Sequence, residues 1–298
     1  MNLLRNAVVL RPVAARPNRG GRHRLRGRLV MVTAYVPAVA YAAALVVPLY
    51  YVLVSSFKTN QTIFQSPLAP PTSISFGTYE QAQQLGNLTG GLANSAILTI
   101  GAEIITLVLT VLAAYGIARI PSRLSTVVER FFGLGLLIPT FAILVPTYLL
   151  AVFSGLLNTR LFFLALFYPA TVLPISVILL AQFMRTISRE VEESAMIDGA
   201  SRLRILWHVV LPLSRPGMAV VVILNFLAFW NEYIFALIIT DQNSRTIQVA
   251  LSFLRGPQVL DYALLAAGTV ITLIPVYVVY GILQRRMQEA FVAGSVKG

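Results

Sequence analysis

Residues 160–212 read RLFFLALFYPATVLPISVILLAQFMRTISREVEESAMIDGASRLRILWHVVLP, and the fold is decided here. Positions 161–183 carry no charged side chain. An apolar run of that length crosses the hydrocarbon core of a bilayer as a helix, which takes about 20 residues. The charged segment that follows, 184–216, is patterned as two short helices. Ser188 is placed to cap the first, with Glu190, Glu192 and Glu193 near its positive N-terminal end. Asp198-Gly199 ends that helix in a turn whose left-handed geometry suits glycine. Ser201 is placed to cap the second helix, which carries Leu203, Ile205, Leu206, Val209 and Val210 until Leu211-Pro212 stops it. A connection between two spans need not be this amphipathic. An apolar face at Ala195, Met196 and Ile197 therefore marks a docking surface for a partner.

The rest of the chain agrees with a membrane setting. Of 298 residues, 57% are hydrophobic and 11% charged, against about 25% charged in soluble domains. This excludes an ordinary soluble enzyme, and it excludes a disordered chain, which is poor in apolar residues and rich in charge. There is no cysteine, hence no disulfide framework, thiolate metal site or cysteine nucleophile. Six apolar stretches qualify as spans, at about 29–54, 94–118, 130–153, 161–183, 217–240 and 263–284. The expected fold is an all-α membrane protein of six transmembrane helices, with the 184–216 loop between helices 4 and 5. Ala38-Val39-Ala40 resembles a cleavage site, but the apolar run continues to Val54, so the first span is read as uncleaved. Residues 55–93 and 241–262 read as polar loops, 154–160 as a tight link, and 285–298 as a C-terminal tail.

Basic residues set the orientation. Residues 1–28 hold eight Arg and no acid, and read as a disordered tail. With the 119–130 loop, the 184–216 loop and the C-terminus they place 19 Lys and Arg on one side, against 4 on the other. The expectation is a multi-pass membrane protein with both termini and the 184–216 loop in the cytoplasm. The net charge of +12 is thus a sidedness signal at the anionic inner leaflet. Nucleic acid is not an expected partner, because the tail has no aromatic residue to stack on a base.

Within the spans, Pro37, Pro48, Pro139, Pro146, Pro169, Pro174 and Pro275 each remove a backbone donor, which suits a bundle that moves or encloses a path. Glu103 and Glu232 are costly against lipid and should face the bundle interior or a wet cavity. Glu232 sits in Trp230-Asn231-Glu232-Tyr233, a set suited to a sugar, whose apolar faces stack on rings while its hydroxyls meet amide and acid. The same residues also suit helix–helix hydrogen bonding or an interfacial aromatic belt. No catalytic constellation is present, and neither an HExxH metal motif nor a P-loop occurs. Transport energised by ATP would need a partner.

The segment Glu193-Ser194-Ala195-Met196-Ile197-Asp198-Gly199-Ala200, followed by Val209-Val210-Leu211-Pro212, resembles the EAA loop of ABC importer permeases. Ser194 stands for the second Ala and Val209 for the Ile of that motif. Ser56-Phe57-Lys58, Asn94-Ser95, Ala113 to Arg119, Ile138-Pro139, Val145-Pro146, Gly155 to Thr159, Trp230-Asn231-Glu232 and the end Ala293 to Gly298 narrow the resemblance to MalG-type permeases of carbohydrate importers. It covers about 29–298 and leaves the Arg-rich tail outside. It implies that the loop is a coupling helix seated in a groove of an ATPase subunit, with Glu193 the charged contact and Ala195 and Gly199 allowing close packing. Gly294, Ser295, Val296, Lys297 and Gly298 would reach toward the ATPase dimer interface, and the 241–262 loop toward an extracytoplasmic solute-binding protein. The implied partners are a MalF-like sister permease, the ATPase dimer, the binding protein, a sugar and the lipid bilayer. ATP and magnesium would sit on the ATPase, so this chain is expected to be no enzyme and to bind no cofactor or metal.

Three rival readings have distinct signatures. A permease for another solute, such as glycerol phosphate or an amino acid, would carry the same loop. An ion-driven secondary transporter would use Glu103 or Glu232 as a proton or cation carrier and would not need the amphipathic loop. An intramembrane enzyme lacks paired catalytic residues here.

Overall fold

The structure, a computed structural model, describes residues 20–254 and 261–295 and contains no strand among them. The chain divides into two units, Met1–Tyr51 and Val52–Gly298. The first is described through α1 (Gly20–Ser55). Residues 20–28, expected as disordered tail, are helical, because the run of Arg, Leu and Gly there is continuous with the apolar span; residues 1–19 lie outside the described residues.

In the second unit, 55–93 is built rather than looped. α2 (Asn60–Gln65) opens with a capping box between Thr59 and Thr62. The Lys58 ammonium caps the end of this turn by donating to Ser66 O at 2.8 Å and Pro67 O at 3.2 Å. α3 (Gly77–Gly86) leads through Asn87, in left-handed geometry, into α4 (Leu88–Arg119). Asn87 caps α4 by accepting from the Gly90 N–H.

α4 carries a buried stripe at every fourth position: Leu98, Ala102, Thr106, Thr110, Ala114 and Ala118. Mostly small side chains let another helix approach closely, which is how membrane helices associate when apolar burial offers no advantage over lipid. That helix is α7 (Arg160–Thr186). The two run parallel: Leu98 and Ala102 pack with Leu164, Tyr168 and Val172, and Val111, Ala114 and Ala118 with Val177, Leu180, Ala181 and Met184.

Between them the chain returns by a bent path, which corrects the expected third span at 130–153. α5 (Arg123–Gly135) and the pair made by a 3₁₀ turn (Thr140–Ile143) with α6 (Leu144–Phe153) meet at 91°. Pro139 sits at the break; it has no N–H for α5 to use and biases Ile138 out of helical geometry. The expected fifth span at 217–240 is also broken. α11 (Arg215–Trp230) ends at Asn231, and α12 (Ile234–Ile239) restarts after Tyr233. Among the described residues, four helices are long and apolar enough to cross a membrane, or up to six if the bent pairs Arg123–Gly135 with Thr140–Phe153 and Arg202–Leu213 with Arg215–Trp230 each count as one span.

The 184–216 segment contains α8 (Glu190–Ile197) and α9 (Arg202–Ile205), which runs on through a π turn (Leu206–Val210) into α10 (Leu211–Leu213). The helix ends as expected just after Leu211-Pro212, at Leu213. The bend falls at Ser214, where the axes change by 77° before α11 begins with Arg215 and Pro216. The expected polar loop 241–262 contains a buried helix, α13 (Ile247–Ser252), with Ile247, Val249 and Ala250 inside the core. Its polar neighbours hide this in the sequence; Arg245, for one, lies over the Phe253 ring at 3.7 Å. α14 (Tyr262–Ser295) includes Gly294 and Ser295; Val296, Lys297 and Gly298 lie outside the described residues.

Gly217 lets α11 cross α7. A Cβ at that position would lie 2.4 Å from the Phe183 ring. We expect Gly217→Leu to cost about 1–3 kcal/mol through overpacking, read as a lower melting temperature of the purified protein in detergent. Gly116→Ala, where a Cβ meets nothing within 4 Å, should leave the melting temperature in place.

Candidate functional site

Two groups of predicted residues lie at opposite ends of the α4–α7 pair. At the end where α4 and α7 finish, α8 and α9 form the helix–turn–helix that the sequence suggests. Ser188 Oγ accepts from the Glu190 N–H at 3.3 Å, and Ser201 Oγ from the Arg204 N–H at 3.4 Å. Gly199 joins the helices at φ +81, which any Cβ would strain. Nothing lies within 4 Å of its Cβ position, so its need for glycine within this chain is the turn itself.

The second half of this element is seated on the bundle. Ile205, Leu206 and Val210 are buried against Val177, Leu180, Ala181 and Met184. The first half presents two faces. Glu193, Met196 and Ile197 lie outward, with Ile197 87% exposed. Ala195 does not join them, as the sequence reading had it; it is half-buried against the core, because it stands three residues after the inward-facing Glu192. Ser194, Asp198 and Gly199 are exposed and Ala200 is half-buried; Leu211 and Pro212 are half-buried where α10 meets the bend.

Glu192 was passed over in favour of Glu193, and it is the buried acid of this element. It forms an ion pair with Arg119, the last residue of α4, the carboxylate being placed beside Nε without aligned hydrogen-bond geometry. Arg119 Nη2 also donates to Ile187 O at 3.0 Å, just past α7. Once Ala195 is known to be half-buried, helical spacing turns Glu192, not Glu193, to the same face.

Trp230, Asn231, Glu232 and Tyr233 do not form one site. Trp230 is buried; its indole N–H donates to Thr272 O at 3.2 Å and its ring stacks on Phe226. It lines a cavity of about 690 Å³ between α4, α11 and α14, together with Glu103, Thr99, Phe226 and Pro275. The Glu103 carboxylate is shielded there and faces the Asn225 amide, whose Oδ1 accepts from Ser176 Oγ at 2.8 Å.

Asn231, Glu232 and Tyr233 line a separate cleft of about 480 Å³ with Thr140, Phe141, Tyr168, Thr171 and Phe229. Both helix breaks open onto it. Glu232 satisfies the donors exposed by its own break: Oε1 accepts from the Phe235 N–H at 2.8 Å and Oε2 from the Ala236 N–H at 2.9 Å. Oε2 also accepts from the Tyr168 hydroxyl at 2.6 Å. A carboxylate at a helix start is favoured by the helix dipole. Asn231 Oδ1 accepts from Gln248 Nε2 at 3.3 Å. The cleft therefore has aromatic walls and fixed polar groups, the combination that grips a ring with hydroxyls.

Beyond this cleft the bundle end is ordered by charge. Arg160 pairs with Asp241 at 3.2 Å and donates to Ile239 O at 2.7 Å. Hydrogen bonds from Ser244, with Arg160 and the Asn243 N–H, hold the Asp241 carboxyl below its usual range.

Residues 106–291 match the family described as binding-protein-dependent transport system inner membrane component. The chain belongs to that family. It is a permease subunit of ABC transport systems and a multi-pass protein of the cytoplasmic membrane. The permease is 35% identical to the diacetylchitobiose uptake system permease protein NgcG of Streptomyces coelicolor, over 87% of this chain and 84% of the relative. It is 30% identical to a probable starch degradation products transport system permease protein, AmyC, of Thermoanaerobacterium thermosulfurigenes, over 84% and 91%. Its fold is similar to a bacterial ABC transporter involved in import of the acidic polysaccharide alginate, with TM-score 0.75, 22% identity, and 93% and 100% of the two chains covered.

The Glu232 cap gives this permease a measurable local coupling. Glu232→Ala should destabilise it by about 1–2 kcal/mol, the cost of a lost helix cap, and Tyr168→Phe by about 1 kcal/mol. Because the two share a hydrogen bond, the double variant should cost less than the sum, read by melting in detergent.

Proposed function

We propose that this permease is one of the two transmembrane subunits of an ABC importer for a sugar or oligosaccharide. It has six spans and both termini in the cytoplasm, and the arginine-bearing end of the α4–α7 pair faces the ATPase. The observation that carries the reading is the α8–Gly199–α9 element. It projects from that end with Met196 and Ile197 exposed, while its other face is seated on the bundle. In a member of this family such an element supports a docking role, with Glu193 to Ala200 as the coupling helix and Leu211-Pro212 as its hinge to α11.

The sugar assignment rests on the cleft of Tyr168, Asn231, Glu232 and Tyr233 and on the carbohydrate relatives. Here Glu232 holds the cleft open by capping α12, and the aromatic rings and Asn231 face the solute. Trp230 and Glu103 serve the packing of α4, α11 and α14. The ATP and magnesium belong to a partner ATPase dimer, whose closure draws the coupling helices together and turns the cavity between this chain and its sister permease outward. The ordered 241–246 segment and α13 lie at the end that would receive a solute-binding protein.

Gly199→Trp tests the docking role. Uptake should be lost while membrane insertion stays intact; normal uptake would sink it. In the reconstituted complex, ATP hydrolysis should rise with binding protein, whereas stimulation by an ion gradient alone would favour a secondary transporter.

A further inference from the structure

α8 is attached to the bundle in an unusual way. It has eight residues, and its one fully buried side chain among the described residues is an acid, Glu192. Val191, Met196 and Ile197, the large apolar residues that normally anchor such a helix, are exposed instead. The inward contact is made by charge. Both side chains of the Arg119–Glu192 pair are buried, at 5% and 8% exposure.

The placement uses both helix ends. Arg119 closes the last turn of α4, where the dipole is negative, and Glu192 lies in the first turn of α8, where it is positive. Arg119 also holds Ile187 O, in the link from α7 to α8. One guanidinium thus gathers the ends of α4 and α7 and the start of α8. A buried ion pair is a poor way to add stability, since an apolar pair of the same volume does as well. What it gives is one geometry, because each charge is strongly penalised if pulled away from the other.

We propose that Arg119 and Glu192 are the force-bearing joint of the permease: positioning residues that make α4 and α7 follow any displacement of α8. The inference rests on the reading of α8 as the ATPase-docking helix. α9 and the π turn are seated by apolar contacts and by the Tyr115 hydroxyl of α4, which donates to Arg202 O at 3.4 Å. α8 adds only the half-buried Ala195 to that seat, so without the pair a push on Ile197 and Met196 tilts α8 and is spent there. With it, the push enters α4, which reaches the Glu103 cavity, and α7, which carries Tyr168 to the solute cleft.

The test uses the complete complex of this chain, sister permease, ATPase and binding protein in proteoliposomes, with the sugar that the binding protein takes. The readout is sugar imported per ATP hydrolysed, a ratio that mere loss of folded complex does not change. Arg119→Ala and Glu192→Ala should each lower the ratio about tenfold or more. The exchanged pair, Arg119→Glu with Glu192→Arg, should recover part of it, and Arg119→Lys should fall between. If the alanine variants do not assemble, Arg119→Lys and Glu192→Asp decide: a lowered ratio supports the joint. A wild-type ratio in assembled variants overturns it. Ile197→Glu keeps the two claims apart. If it leaves uptake intact, the docking role of α8 fails; if it blocks uptake while the pair variants keep the wild-type ratio, only the joint fails.

Discussion

Two long helices, α4 and α7, lie side by side in parallel through a stripe of small side chains, and each candidate site is hung on that pair. Lipid offers no hydrophobic reward for helix association, so the contact depends on closeness. Ala102, Thr106, Thr110, Ala114 and Ala118 supply it. One end of the pair carries the helix–turn–helix of α8 and α9; toward the other, Tyr168 meets Glu232 in the cleft that Asn231 and Tyr233 line. Because one packed pair reaches both ends, a displacement at the first has a rigid route to the second.

The polar chemistry within the apolar segments follows from the cost of leaving backbone groups bare there. The chain breaks at Pro139 and again at Asn231 to Tyr233, and each break frees backbone groups that need new partners. Glu232 answers the second break with two backbone hydrogen bonds and one from Tyr168. An acid that looked like a solute ligand is thus also the reason α12 can begin. The two roles are compatible, since the cap fixes the carboxylate at the wall of the cleft.

Hydropathy alone made the spans legible, because long apolar runs have few other uses. The breaks were not: Leu136 to Ile138 is as apolar as the helices around it, and Asn231 to Tyr233 is a short polar stretch inside a long apolar run. α13 was hidden for the opposite reason: Gln248 and flanking polar residues masked Ile247, Val249 and Ala250. The turn at Gly199 and the caps at Ser188 and Ser201 were readable because capping chemistry is local. The choice of Glu193 over Glu192 failed on register. The pair of Glu192 with Arg119 spans a long stretch of sequence, and a run of adjacent acids does not announce which one turns inward.

The account stands or falls on whether the outer face of α8 meets an ATPase. The chain has no cysteine, so Ile197→Cys places a single thiol at the centre of that face. In the assembled transporter, a short bismaleimide should link it to an ATPase subunit carrying one engineered surface cysteine, and adding ATP without hydrolysis should change the yield. A thiol that stays open to a bulky maleimide in the intact complex, with or without nucleotide, would contradict the account.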